Sequence, residues 1–287
     1  MTEHVGVPEP REQRVAVGDI TLRVLRWRSE GLGAPLLMVH PNATGAEIWA
    51  PFAGATQLTN PLIAPDLRGH GDSSRTTDRN DVDTWAADLQ GLLEALDVGP
   101  VVVLASALGG AAALLLASRW PRSVVGVVAN DVGYDIPEDV RLRVQRRLRE
   151  SHRAPDAATA MAGYHAATFF TPQQREWFAQ VMLQDDGDEV VWRYDPVGVP
   201  KVMDPRPRSL LDELDVRCPT LLLRGEHSGP LLPEALARLQ ATIPGAQVAT
   251  ITRSDHIPSV DATRQYTRLV DDFVGRLVHT GGPEHRP

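Results

Sequence analysis

The chain has 287 residues, 43% of them hydrophobic and 23% charged, with a formal net charge of −8. That length holds one large domain or a core with an insertion, and the composition excludes a disordered chain. The acidic excess argues against nucleic acid as a partner, and no apolar stretch has the length of a membrane span.

The opening residues, MTEHVGVPEPREQRV, are polar and unlike a secretory leader, and they read as a loose arm; HTGGPEHRP reads as a frayed tail. ITLRVLRW (20–27) alternates like a strand, and PLLMVH (35–40) reads as a buried one. A helix over 46–57, a strand over 61–66 and a helix over 81–97 follow, the last with an Asp near its start. VVVLAS (101–106) predicts a strand running straight into an Ala- and Leu-rich helix, and SVVGVVAND (123–131) predicts the next strand. Continuous Val/Leu strands between helices indicate a parallel sheet covered on both faces.

The alternation stops over 134–207, where DVRLRVQRRLRESHR is a basic amphipathic helix and AATFFTPQQREWFAQVML is dense in aromatics. It resumes with a strand at 220–226, a helix at 233–243, a strand at 246–252 and a last helix over 259–278. The expected organisation is a core of 12–133 and 208–280, a helical cap of 134–207 inserted into it, and loose termini at 1–11 and 281–287. The single Cys218 excludes an intrachain disulfide framework, reads as a buried structural thiol, and with the missing leader suggests a cytoplasmic location. Nine scattered histidines offer no metal-ligand spacing, and no G-x-G-x-x-G or P-loop implies a cofactor.

The stretch VVVLASALGG carries the chemical question. A strand that turns at small residues into a helix has the shape of the G-x-S-x-G nucleophile elbow. Here the five residues are Ala105, Ser106, Ala107, Leu108 and Gly109, so the tip is alanine. Taking Ser106 as the tip instead puts Leu104 and Leu108 where the turn has no room for them.

In order, VHPNATGAEIW, PDLRGHGDSS, LASALGG and SDHIPSVD resemble the oxyanion loop, the loop after the fourth strand, the elbow and the histidine loop of the α/β-hydrolase superfamily. The resemblance covers nearly the whole chain. It implies a mostly parallel sheet with helices on both faces and a cap, and it places His256 as the base. Asp66, Arg68 and Asp72 fall in a stretch whose usual role is structural, and His70 and His227 read as structural or exposed. The family's first loop usually reads His-Gly, whereas His40 is followed by Pro41, which has no N–H to donate. The oxyanion candidates are therefore the N–H groups of Asn42 and Leu108. Gly229 stands where the family acid usually follows the seventh strand. Asp131, at the end of the sixth, is the substitute, with Glu226 and Asp255 as competitors.

A His256–Asp131 dyad without a nucleophile supports general-base chemistry of lyase, isomerase, cyclase or oxygenase type, or direct attack by an activated water. The loop also resembles that of haloalkane dehalogenases, but their route needs an aspartate at the elbow. Tyr164, Phe169, Phe170, Trp177, Phe178, Trp192 and Tyr194 suit a small, largely apolar substrate, with His40, Ser106, Trp177 and Phe170 as candidate contacts. Two accounts of Ala107 stay open: a serine hydrolase whose nucleophile was replaced, or natural divergence, which Pro41 and Gly229 favour. A non-catalytic ligand receptor on the same fold is the alternative of another class. A homodimer is compatible with all of these.

Overall fold

A computed structural model of the chain describes residues 9–76, 80–134 and 136–280. The chain starts with an antiparallel hairpin of β1 (Arg11–Val17) and β2 (Ile20–Trp27). β3 (Leu36–Val39), a 3₁₀ turn at Ala46–Trp49, α1 (Ala50–Ala55) and β4 (Leu62–Pro65) follow. Next come α2 (Val82–Ala95), β5 (Val101–Ser106), α3 (Ala107–Arg119) and β6 (Val124–Asn130). The Asp foreseen near the start of α2 is its N-cap: the Asp81 carboxylate accepts from the Thr84 N–H.

An excursion then contains α4 (Glu138–Glu150), β7 (Arg153–Ala154), α5 (Ala157–Ala162), α6 (Pro172–Met182), β8 (Leu183–Asp186) and β9 (Glu189–Trp192). The chain returns through β10 (Thr220–Gly225), α7 (Pro233–Thr242), β11 (Gln247–Ile251), α8 (Pro258–Asp261) and α9 (Thr263–Thr280). Among the described residues, eight strands form one sheet in the order β1-β2-β4-β3-β5-β6-β10-β11. From β4 to β11 every pairing is parallel. Such a sheet needs cover on both faces. Leu89, Leu92 and Leu115 belong to the apolar cluster of one face, and Trp49, Phe52 and Phe273 to that of the other. Each such side chain contributes about 1.5–3 kcal/mol through burial.

Two expectations are corrected. Arg11, counted with the loose terminus, and residues 12–15, counted with the core but read as part of a polar arm, belong to β1; its first four residues are exposed, and only Val15 and Val17 face the core. Residues 1–8 and 281–287 of the expected loose ends lie outside the described residues. The segment expected to be helical also carries its own antiparallel sheet, in the order β7-β9-β8. Its hairpin turns at Gly187, whose φ of +70° is open to glycine. The polar run QDDGDE hid these strands, because it fills most of β8, the turn and the start of β9 and leaves only Val190, Val191 and Trp192 as a short apolar signal.

Candidate active site

β5 delivers the site. It ends at Ser106, and Ala107 opens α3 with φ +51°, a left-handed backbone that costs a non-glycine residue roughly 1–2 kcal/mol. The strained turn is therefore kept although its tip carries only a methyl group. The glycines behind it are required by contact. A Cβ on Gly109 would lie 2.3 Å from the His40 carbonyl oxygen, and one on Gly110 2.6 Å from Val132 Cγ2.

β6 and β11 supply the other two parts. Asp131 follows β6 directly, also at positive φ (+52°), and is fully buried. His256 lies in the turn between β11 and α8, and its Nδ1 donates to Asp131 Oδ2. A carboxylate only accepts, so Nδ1 holds the proton and Nε2 is the nitrogen left for chemistry. Burial alone would depress the imidazole, but the hydrogen bond and charge of Asp131, with Asp255 and Asp261 nearby, hold it above its ordinary value of 6.5. Ser228 Oγ donates to the same Asp131 oxygen at 2.6 Å, while Asp131 Oδ1 is buried with no partner among the described residues.

Among the described residues, Asp131, and neither competing acid, is hydrogen-bonded to the His256 ring. Glu226 accepts the Arg253 N–H at 2.8 Å. Asp255 is half-buried, and burial pushes its carboxyl up. Gly229 has open space where a Cβ would stand, so its lack of a side chain is not forced by packing. Asp261, five residues after His256, accepts from Ser254 Oγ at 2.5 Å and from the Asp255 N–H at 3.0 Å. It thus holds the turn that carries the histidine.

Of the oxyanion candidates, Asn42 is half-buried on the loop after β3, and Ala43 beside it has φ +60°. Ser106 makes no side-chain cap to α3, so no side chain of its own cap competes for the Leu108 N–H in the first turn. His40 is removed from the candidate substrate contacts. It is fully buried, its Nε2 accepts the Leu67 N–H at 2.9 Å, and its Nδ1 donates to the Pro41 carbonyl at 2.8 Å. Both ring nitrogens are used, and burial holds the ring below its ordinary pKa. Ser106 is removed too: its hydroxyl, 3% exposed, accepts from Asn130 Nδ2 at 3.1 Å. The same amide donates to the His256 carbonyl at 3.3 Å, bridging elbow and histidine loop.

The insert's aromatics form its own core. Phe178 lies 5.0 Å from Tyr164, 5.3 Å from Phe170 and 6.4 Å from Trp177, centroid to centroid. Phe170 is buried in this cluster, whereas Trp177 is half-buried and Phe169 is exposed, stacked on His227 at 4.9 Å. Arg193 ties the insert to the core through Asp72 at 2.7 Å and Glu47 at 3.2 Å. Asp66 accepts the Ala46 N–H and pairs with Arg23, and Arg68 pairs with Asp88, so these are framework groups. Burial pushes the half-buried Cys218 thiol up to about 11, which leaves it unreactive at neutral pH.

Asn130, Ser228 and Asp261 were not foreseen in these roles. Ser228 adjoins Gly229 in the segment where an acid was sought, and that adjacency is the one signal the sequence holds.

A parallel sheet of this order, with a strained strand-to-helix turn at β5 and a histidine after the last strand, defines the α/β-hydrolase fold. The sequence pattern of the alpha/beta hydrolase family matches residues 36–269, and the chain belongs to that family. It is 27% identical over 265 residues to 2-hydroxy-6-oxo-2,4-heptadienoate hydrolase of Pseudomonas putida strain F1, covering 85% of this chain and 90% of that one. It is 25% identical over 267 residues to 2-(acetamidomethylene)succinate hydrolase of Mesorhizobium japonicum, covering 91% and 94%. The crystal structure of E-2-(acetamidomethylene)succinate hydrolase superposes with a TM-score of 0.84 at 21% identity, over 93% of this chain and 100% of that one. These relatives are hydrolases. Among the described residues, no helix is long and apolar enough to cross a membrane.

Proposed function

We propose that the chain acts on a small activated carbonyl compound by general-base catalysis at His256, without a covalent enzyme intermediate. The observation that carries this is the Asp131–His256 hydrogen bond, kept in a chain whose elbow tip, Ala107, has no heteroatom. A receptor would need the pocket and not the oriented base.

Nε2 of His256 takes a proton from water or from an acidic C–H group. The names of the relatives favour hydrolysis, so water is the better donor. The hydroxide formed adds to the carbonyl carbon, and the Asn42 and Leu108 N–H groups hold the oxyanion. Collapse breaks the bond to the leaving group, which receives the proton from the imidazolium. Asp131 stabilises that cation throughout. Isomerisation or elimination through an enolate would use the same groups with C–H as the proton source. The reading needs no cofactor.

The relatives act, by name, on unsaturated and acylated small acids, and 2-hydroxy-6-oxo-2,4-heptadienoate and 2-(acetamidomethylene)succinate are the first compounds to assay. The expected result is turnover by the native chain, lost by about 10²–10⁴-fold in His256→Ala, with no adduct mass on the quenched protein. Full turnover by His256→Ala, or an accumulating adduct, would refute the reading. A second reading, a serine hydrolase with alanine at the nucleophile position, is favoured by the retained strain at Ala107 (φ +51°).

A further inference from the structure

A cavity of about 540 Å³ lies beside the elbow but not over the dyad. Its walls are the first turns of α3, the chain leaving β6, the start of α4 and the stretch 202–210. Ala107, Asn42, Asp131 and His256 do not line it; Leu108 is the shared wall. The volume is that of a small-molecule site. Ala111, Val202, Met203 and Leu210, all buried, make the floor apolar.

The charged groups around it are unequally committed. Glu138 lies 3.7 Å from Arg141, which also donates to Gln145 at 3.1 Å. Asp204 accepts from Gln145 Nε2 at 2.7 Å. Arg206 is spent on Asp83 and Glu213. Arg208 is exposed and makes no ion pair among the described residues. An uncommitted guanidinium, that of Arg208, therefore stands at the rim of an apolar floor. It calls for an acceptor that carries negative charge, and the floor calls for hydrocarbon.

We infer that this cavity is a second ligand site, for an organic anion with an apolar body and one carboxylate or sulfonate group. The body rests on Ala111, Val202, Met203 and Leu210, and the anionic group meets Arg208. The occupant leaves His256 Nε2 open, so this site stands whether or not the dyad is catalytic.

The test is a fluorescence titration of the full chain with 8-anilinonaphthalene-1-sulfonate, which has an apolar body and one anionic group. The expected result is saturable binding that Arg208→Glu and Ala111→Phe each weaken by about tenfold or more, with His256→Ala binding as the native chain does. Arg208→Glu changes an exposed side chain and so reads binding rather than folding; thermal unfolding checks the same for Ala111→Phe. No saturable binding by the native chain, native affinity in either cavity variant, or loss in His256→Ala overturns the inference.

Discussion

Ser228 Oγ donates to Asp131 Oδ2 at 2.6 Å, and that oxygen also receives the Nδ1 proton of His256. The hydroxyl draws part of the carboxylate's charge away from the imidazole and fixes the carboxylate's rotation. Ser228→Ala leaves His256 as the remaining donor to that oxygen. The imidazole pKa should rise by a fraction of a unit, and the protein should lose about 1 kcal/mol for the buried hydrogen bond. NMR titration of the ring protons and urea denaturation measure the two. An unchanged imidazole titration would mean that Ser228 is only packing.

Asp131→Asn tests the other side of the pair. The amide removes the charge that outweighs burial, so the His256 pKa should fall from above 6.5 to below it. The sign for stability follows. A histidine raised in the fold contributes stability that is fully present below its unfolded value and is lost as pH rises through the folded one. The native chain should therefore exceed Asp131→Asn by more at pH 6 than at pH 9 in denaturant unfolding. Activity of the variant should drop by about 10²–10⁴-fold, because the ring loses its fixed tautomer. Equal stability gaps at both pH values would remove the linkage.

Much of this was legible in the sequence because burial writes itself as continuous apolar runs. β5, VVVLAS, and β10, TLLLRG, are near-uniformly buried and read as strands at once. β1 and the hairpin β8–β9 were not legible, because β1 opens with four exposed residues, β8 is polar and exposed after Leu183, and the apolar part of β9 is only three residues long. The site divides in the same way. His256 and Asp131 sit at fixed places in the order of elements, so counting strands finds them. Asn130 and Ser228 act through contacts between segments 126 and 97 residues apart, which no local pattern records, whereas Asp261 bonds residues six and seven positions before it and carries no motif that marks it.

Gly109→Ala probes why the elbow needs small residues. The added Cβ would stand 2.3 Å from the His40 carbonyl oxygen and 3.1 Å from Val39 Cγ1, against backbone that β3 holds in the sheet. The helix start must shift, at a cost of about 2 kcal/mol or more. Thermal unfolding should show the loss. A change within about 0.5 kcal/mol would mean that α3 can move freely relative to β3.

Asp261→Asn tests the brace beneath the histidine turn. Burial, opposed by the Ser254 and Asp255 hydrogen bonds, raises the Asp261 carboxyl from 3.8 to about 6. A carboxyl raised in the fold favours the native state below its unfolded pKa, and that advantage is lost as pH rises through about 6. The variant should have a flatter stability profile between about pH 4 and 6. Its amide can still accept from Ser254 Oγ, but it cannot accept the Asp255 N–H as well without turning a donor toward Ser254. His256 should therefore be less well placed, with kcat lowered more than KM is raised. Native kcat in Asp261→Asn would make Asp261 a stability residue alone.

Ala107→Ser separates the two accounts of the elbow. The tip backbone is already at φ +51°, so serine enters an existing turn, and stability should change by less than about 1 kcal/mol. Its hydroxyl would take the place from which a water is otherwise activated, and nucleophilic catalysis would then require the Leu108 N–H and Nε2 of His256 beside it. If His256 acts directly on water, the native chain turns over its substrate, and Ala107→Ser leaves kcat/KM within about tenfold, because the base already has its proton donor. If the chain is a serine hydrolase lacking its nucleophile, only Ala107→Ser is active, and rapid quenching shows an acyl adduct on residue 107. The first outcome is expected. The measurement is single-turnover kinetics of both proteins on one substrate, with intact-protein mass at each time point. Activity confined to the serine variant, with an adduct that forms and decays at the turnover rate, would overturn general-base catalysis without a covalent intermediate.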